Sequence, residues 1–337
     1  MTGSLEGLIL DLDDVDLTVY EALKHEISDP LSYREELTDH FMSDPDTHGA
    51  RLPFPSGTDF RFRRGECTVL SGANYTGKSS LIMQCCLHWL RGNSSETEKI
   101  LLVSPEMSPM QSLARIVRQV TAKIPNQVTE QDVGAVLAFL QGRFWVYDAL
   151  GQVTVSDLNN VIRYSCAELG VTHAVVDNLS VLQLDGADTN RAQSDLMTRF
   201  VATSRSSNCH ITLVAHNRKP APGEKPGDRF AISGSAALSN LADNVVIITR
   251  NEKKSEMLED MSLSMDERSE IEAQSDTKFI VSKQRHGKAW IGTVKLYYYP
   301  FSMRWHEQRR APDLAYSEIE TLAEIGDASN SRGYQHG

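Results

Sequence analysis

Apolar positions along this chain recur with two periods that take turns. Residues 66–71 form a short, largely apolar run that reads as a buried strand. Behind it Leu81, Ile82, Cys85, Cys86, Trp89 and Leu90 recur at helical spacing on one face, and Gly92 stops the pattern. The same alternation repeats. Strands are expected at 99–103, 144–147, 172–176 and 210–215, with helices at about 109–123, 129–141 and 155–169 and around Leu196, Met197, Phe200 and Val201. Such alternation predicts an α/β fold with a parallel sheet covered by helices on both faces. Ligands of such sheets gather at the carboxyl ends of the strands. Ser71, Glu106, Asp177 and His216 all fall there.

The pattern then changes. Residues 217–233 are polar and loop-like, 234–243 suit a short helix, and 244–249, 278–282, 291–298 and 302–306 read as strands of antiparallel hairpin character. The stretch 251–276 is rich in Met and Glu and predicts a solvated helix or insertion. Residues 312–337 are polar without a core pattern. At the other end, residues 1–50 are acidic. They hold two candidate amphipathic helices, 17–27 and 31–42, separated by Ser28-Asp29-Pro30. This segment is either a linker that docks on a neighbouring subunit or a partly disordered tail. The expected organisation is therefore an accessory segment over 1–50, one α/β domain over 51–310 and a tail over 311–337. No internal repeat is visible.

Between the first strand and its helix stands Gly72-Ala73-Asn74-Tyr75-Thr76-Gly77-Lys78-Ser79, which fits G-x-x-x-x-G-K-[ST]. The spacing has a chemical reason. A glycine at each end lets the backbone wrap an anion, Lys78 reaches the β/γ-phosphates, and the Ser79 hydroxyl ligates Mg²⁺. The helix that follows, with Ser80 in its first turn, points its positive end at the same phosphates. Asp177, ending an apolar strand, fits the acid that holds the magnesium water shell; as an isolated residue it would read as a turn Asp. Glu106 is either a base for an attacking water or a carboxylate complementing a helix dipole. His216 is either a sensor between two ligands or a satisfied core histidine. Arg218, Lys219, Lys225 and Arg229 either track a phosphate backbone or dress a solvated loop. Lys283-Gln284-Arg285 ends a strand, and its cations are either surface dressing or an arginine finger.

Bulk properties narrow the classes. A length of 337 residues suits one large α/β domain with an appendage. The net charge of −11 argues against a broad basic face coating duplex DNA. A narrow channel needs only local charge and is not excluded. Cys67, Cys85, Cys86, Cys166 and Cys209 show no C-x-x-C pairing, so buried free thiols in a reducing cytosol are expected rather than zinc ligands. No apolar stretch is long enough to cross a membrane, and the acidic N-terminus is no signal peptide. The expectation is a cytoplasmic protein, in a bacterial host if phage-encoded.

The ordered set GANYTGKS, VSPEM, HAVVDNLSVL, ITLVAHNRKP, GSAALSNLADNVVIITRN and KQRHGKAWIGTVKL resembles the hexameric replicative helicases of the DnaB type. Phage helicases are the nearest likeness, including the helicase half of podophage primase–helicases and its mitochondrial relative Twinkle. The likeness runs from about residue 52 to 307. It implies a RecA-like motor that hydrolyses ATP or dTTP with Mg²⁺ and moves on single-stranded DNA as a ring of identical subunits. It further implies Glu106 as catalytic glutamate and Asp177 as the metal-binding acid. His216 would sense the γ-phosphate. Arg285 would be an arginine finger inserted into the neighbour's site, with Lys283 beside it. Arg250 and Tyr299 fall where the phage enzymes clamp the base. The loops after Asp177 and His216 would line the channel. No primase, zinc module or DnaB-type collar precedes the core, so a separate primase is expected, with a polymerase or loader as further partners. A RecA- or KaiC-like ATPase and an inactive replisome scaffold are the rival readings.

Overall fold

The computed structural model describes residues 29–42, 48–91, 98–148, 153–178, 182–183, 189–216 and 236–317. Contacts divide the chain into two units, Met1–Thr47 and His48–Gly337. In the first unit a 3-10 turn (Pro30–Tyr33) is capped by the Asp29 carboxylate, which accepts from Leu31 N at 3.0 Å, and leads into helix α1 (Arg34–Met42). Leu31, Leu37, Phe41 and Met42 are exposed, so the expected amphipathic face has nothing to bury it among the described residues of this unit. The expected helix over 17–27 lies outside the described residues.

The second unit opens on a small hairpin, β1 (Ala50–Arg51) with β2 (Arg61–Phe62), which sends Phe54, Phe60 and Phe62 into the core. Then come β3 (Cys67–Gly72), helix α2 (Lys78–Leu90), β4 (Ile100–Val103), α3 (Pro109–Thr121), α4 (Glu130–Leu140) and β5 (Phe144–Tyr147). Next follow β6 (Val153–Thr154), α5 (Val155–Leu169), β7 (His173–Asp177), β8 (Leu182–Gln183), α6 (Thr189–Ser206) and β9 (His210–His216). Local chemistry sets the ends. Ser108 and Gln111 form a capping box around Pro109 at the start of α3, and Gly170 closes α5 in the left-handed conformation. The last stretch runs α7 (Ala236–Leu241), β10 (Asn244–Arg250), α8 (Glu252–Leu258), α9 (Met265–Glu272), β11 (Thr277–Gln284), β12 (Gly292–Tyr299) and β13 (Arg304–His306).

These strands build a nine-stranded sheet in the order β13-β12-β11-β10-β3-β9-β7-β4-β5. From β10 to β5 every pairing is parallel, and from β10 outward to β13 every pairing is antiparallel. Side chains alternate across it and fill two cores. Leu70, Ile100, Leu102, Val246 and Phe279 pack with α2, α3 and α4 on one face. Val69, Leu101, Val103, Val176 and Ile247 pack with α5, α6 and α7 on the other. The expected α/β class and its antiparallel extension are both present.

The structure adds to three expectations. Helix α2 buries its expected apolar face and more: Lys78, Met83 and Gln84 are buried along with it. The cause is the β12–β13 hairpin, which crosses back over the helix, with Trp305 N and O bonded to the Gln84 amide at 2.8 Å each. Of the two readings for 251–276, the insertion holds: two short helices, α8 and α9, stand between the paired strands β10 and β11, anchored by buried Lys254 on Asp276 at 2.6 Å. The polar tail does not begin at 311. Tyr316 is buried, lies under the guanidinium groups of Arg91 and Arg304, and donates its backbone N–H to Val120 O at 3.0 Å.

Candidate functional site

The loop from Gly72 to Ser79 joins β3 to α2, and two of its glycines are forced. A Cβ on Gly72 would meet Ile248 O of the neighbouring strand at 2.5 Å. Gly77 holds φ at +87° against the Trp305 ring, where a Cβ would come within 2.4 Å of Cζ2. Lys78 therefore starts a helix beneath a fixed loop. Its buried ammonium donates to Gly72 O at 2.9 Å and Ala73 O at 2.8 Å. Burial pushes its pKa down to about 8, against the opposing pull of Asp177 and Glu106. Tyr75 stands out into solvent.

Three further strand ends meet this loop. Asp177 at the end of β7 is buried and receives the Ser79 hydroxyl; burial raises its pKa despite that bond and the nearby Lys78. A buried carboxylate short of positive charge, beside a hydroxyl, is a hard-oxygen donor pair suited to Mg²⁺. Ser79 and Asp177 are the residues that would hold that ion. Glu106 sits in the turn after β4, exposed, with its charge felt at Lys78, Asp177 and His216. Ser108 and Gln111 supply the hydrogen-bonding cap of α3, and Glu106 takes no part in it. His216 pairs with Gly72 across the sheet. Its ring lies between Lys78 Nζ (3.4 Å from Nδ1) and Asn178 Nδ2 (2.8 Å from Nε2). Partial burial, then the charge of Lys78, lower its pKa and favour the neutral ring.

Beside the loop opens a cavity of about 400 Å³, within the range of small-ligand pockets. Thr76, Gly77 and Ser80 line it beside the loop, with Trp305 packed against Gly77 and Ser80, and Arg250 and Tyr298 line it as well. Arg250 is among the residues that line the cavity. Tyr299 is not: it is Tyr298 that lines the cavity, stacked on Trp305 at 4.7 Å. Tyr299 faces away, stacked on His306, and its hydroxyl accepts from Ala311 N at 2.7 Å. Strand parity explains the difference. Val294, Leu296 and Tyr298 share the core face of β12, and Tyr299 is one step out of phase. That signal was present in the sequence. Thr277 was missed altogether; its buried hydroxyl lines the cavity and has no hydrogen-bond partner among the described residues.

Arg285 and Lys283 lie elsewhere. β10 runs parallel to β3, with Asn244 beside Thr68 and Ile248 beside Gly72. β11 returns antiparallel, so Gln284 pairs with Asn244. Arg285 thus sits where the parallel strands begin, roughly five residues of strand, or about 16 Å, from the end that opens the phosphate loop. Its guanidinium donates to Asp243 Oδ1 at 3.0 Å and is partly exposed. Lys283 is occupied with closing α7: its ammonium donates to the carbonyls of Ser239, Asn240 and Ala242 at 2.6 to 3.0 Å. Arg218, Lys219, Lys225 and Arg229 lie outside the described residues.

The model of the AAA domain family matches residues 53–222, half of the chain. Among solved structures, one described as an ATPase domain superposes with a TM-score of 0.64 at 14% identity, covering 87% of this chain and 99% of that one. A second, described as "The Structure Of A DnaB-Like Replicative Helicase And Its Interactions With Primase", gives 0.63 at 14% identity, covering 86% of this chain and 71% of that one. At that identity the likeness establishes the fold, the RecA-like core of P-loop NTPases.

Proposed function

The chain belongs to the AAA domain family, and we propose that it is a replicative DNA helicase whose ATP or dTTP hydrolysis, at sites shared between identical subunits, drives translocation on single-stranded DNA. The observation that carries this reading is the separation of two halves of one chemistry. Lys78, Ser79, Glu106, Asp177 and His216 converge at the carboxyl ends of the parallel strands, while Arg285 stands at their opposite ends. A transition-state cation so placed serves only a neighbouring subunit's site.

In this mechanism the loop N–H groups and Lys78 bind the triphosphate, and the nucleoside occupies the cavity between Arg250 and Tyr298. Ser79 and Asp177 would hold Mg²⁺, whose charge would offset that of the phosphate oxygens. Glu106 orients the attacking water and takes its proton on a carboxylate oxygen. His216 touches Lys78 on one side and Asn178 on the other, so a change at the phosphates reaches the start of the loop after β7. That loop and the one bearing Arg218, Lys219, Lys225 and Arg229 would hold single-stranded DNA, with a ring, hexameric in this reading, around it. A separate primase, polymerase or loader would complete the assembly.

The test uses a forked duplex with a single-stranded tail. The wild type with Mg²⁺ and nucleotide should hydrolyse faster with the tail present and separate the strands. Glu106→Gln should bind nucleotide, turn over at least about 100-fold more slowly, and separate nothing. Strand exchange without unwinding would replace this reading with a recombinase, and binding without turnover in the wild type would leave a scaffold.

A further inference from the structure

The Asp243 carboxylate is 1% exposed, between α7 and β10, at the end of the central strands away from the phosphate loop. A charge so buried needs full compensation, and Asp243 is gripped from two sides. On one side it is fixed to β3: Oδ2 accepts from Cys67 N at 3.0 Å, and its own N–H donates to Cys67 O at 3.0 Å. On the other side it faces the strand end carrying Arg285. Oδ1 accepts from Arg285 Nη1 at 3.0 Å, and its carbonyl accepts from Arg285 N, also at 3.0 Å. Arg285 Nη2 reaches Asn240 O at 3.4 Å. Around the same oxygen, His286 Nε2 stands at 3.8 Å and Arg205 at 4.0 Å.

The two residues are therefore joined by backbone and side chain together, and the carboxylate of the pair is immobile because β3 holds it. Part of the guanidinium remains exposed at the rim of the sheet. A long flexible side chain is thereby given a defined direction before any partner arrives, which removes an ordering cost from the step that uses it. We propose that Asp243 is a positioning residue that aims Arg285 at the nucleotide site of an adjacent subunit. This rests on the shared-site reading above and adds to it a residue with no contact to nucleotide.

The experiment separates the two ideas by asking on which side of an interface Asp243 acts. Asp243→Asn keeps an acceptor for the Cys67 N–H and turns an amide toward Arg285. Alone it should lower kcat at least about tenfold, because a small misplacement of a reacting group has a large effect on rate, with KM for nucleotide changed less than about twofold. It is then mixed, with subunit exchange demonstrated, with either of two inactive proteins. Lys78→Ala subunits carry an intact finger, so mixing them with Asp243→Asn should restore hydrolysis. Arg285→Ala subunits do not, so that mixture should restore none. The reverse pattern would place Asp243 on its own subunit's nucleotide site and overturn the proposal, as would unchanged kcat. The Lys78→Ala plus Arg285→Ala mixture is the control: silence there would refute the shared site itself, not the role of Asp243. If Asp243→Asn does not fold, Asp243→Ser, which also leaves an acceptor for Cys67, is read the same way.

Discussion

At the scale of single residues, the convergence on the phosphate loop was legible because Asp177 and His216 close apolar strands of a parallel sheet and Glu106 follows a third. Tyr298 and Thr277 escaped for a different reason. A clamp transferred by likeness carries no parity, whereas the period-two run Val294, Leu296, Tyr298 does. Lys78 yields a prediction at this scale. Its pKa is lowered to about 8 in the free protein by burial. Triphosphate beside it favours the charged form and raises that value. Below about 8 both states are protonated and affinity should be flat. Above it, binding must take up a proton, so affinity should fall by up to about tenfold per pH unit. Calorimetric titration with tripolyphosphate from pH 7 to 9.5 measures this, and a flat affinity across that range would contradict it.

At the scale of elements, the strand–helix order was readable, and the docking of the last hairpin was not. The contact between Trp305 and Gly77 joins residues far apart in sequence, and no local pattern announces it. Gln84 shows how the docking works. Its amide pairs with both backbone groups of Trp305, acting as one rung of a strand that the sheet edge lacks. Gln84→Leu fills the same space and leaves both Trp305 groups buried and unpaired. The expected loss is about 2–4 kcal/mol in urea unfolding, with weaker nucleotide binding because Trp305 walls the cavity. A loss below about 0.5 kcal/mol would show that the hairpin is held by packing alone.

At the scale of the whole molecule, the phosphate loop opens at the carboxyl ends of the parallel strands and Arg285 lies at their opposite ends, so the proposed shared site would be complete only between copies. The finger is suggested by likeness alone; the register of β3, β10 and β11 puts Arg285 at the far end of these strands from the phosphate loop, as the proposed shared site requires. The acidic −11 total does not oppose a DNA channel, since the charges that matter there are local. Arg285→Ala alone should lower turnover by roughly 10³ or more while leaving nucleotide binding intact. The most direct measurement mixes that protein with Lys78→Ala, each inactive by itself, and follows hydrolysis without DNA after subunit exchange has been demonstrated. If the site is shared, interfaces that join an intact Lys78 to an intact Arg285 form, and part of the hydrolysis returns. If the finger acts within its own chain, every site in the mixture is broken and none returns.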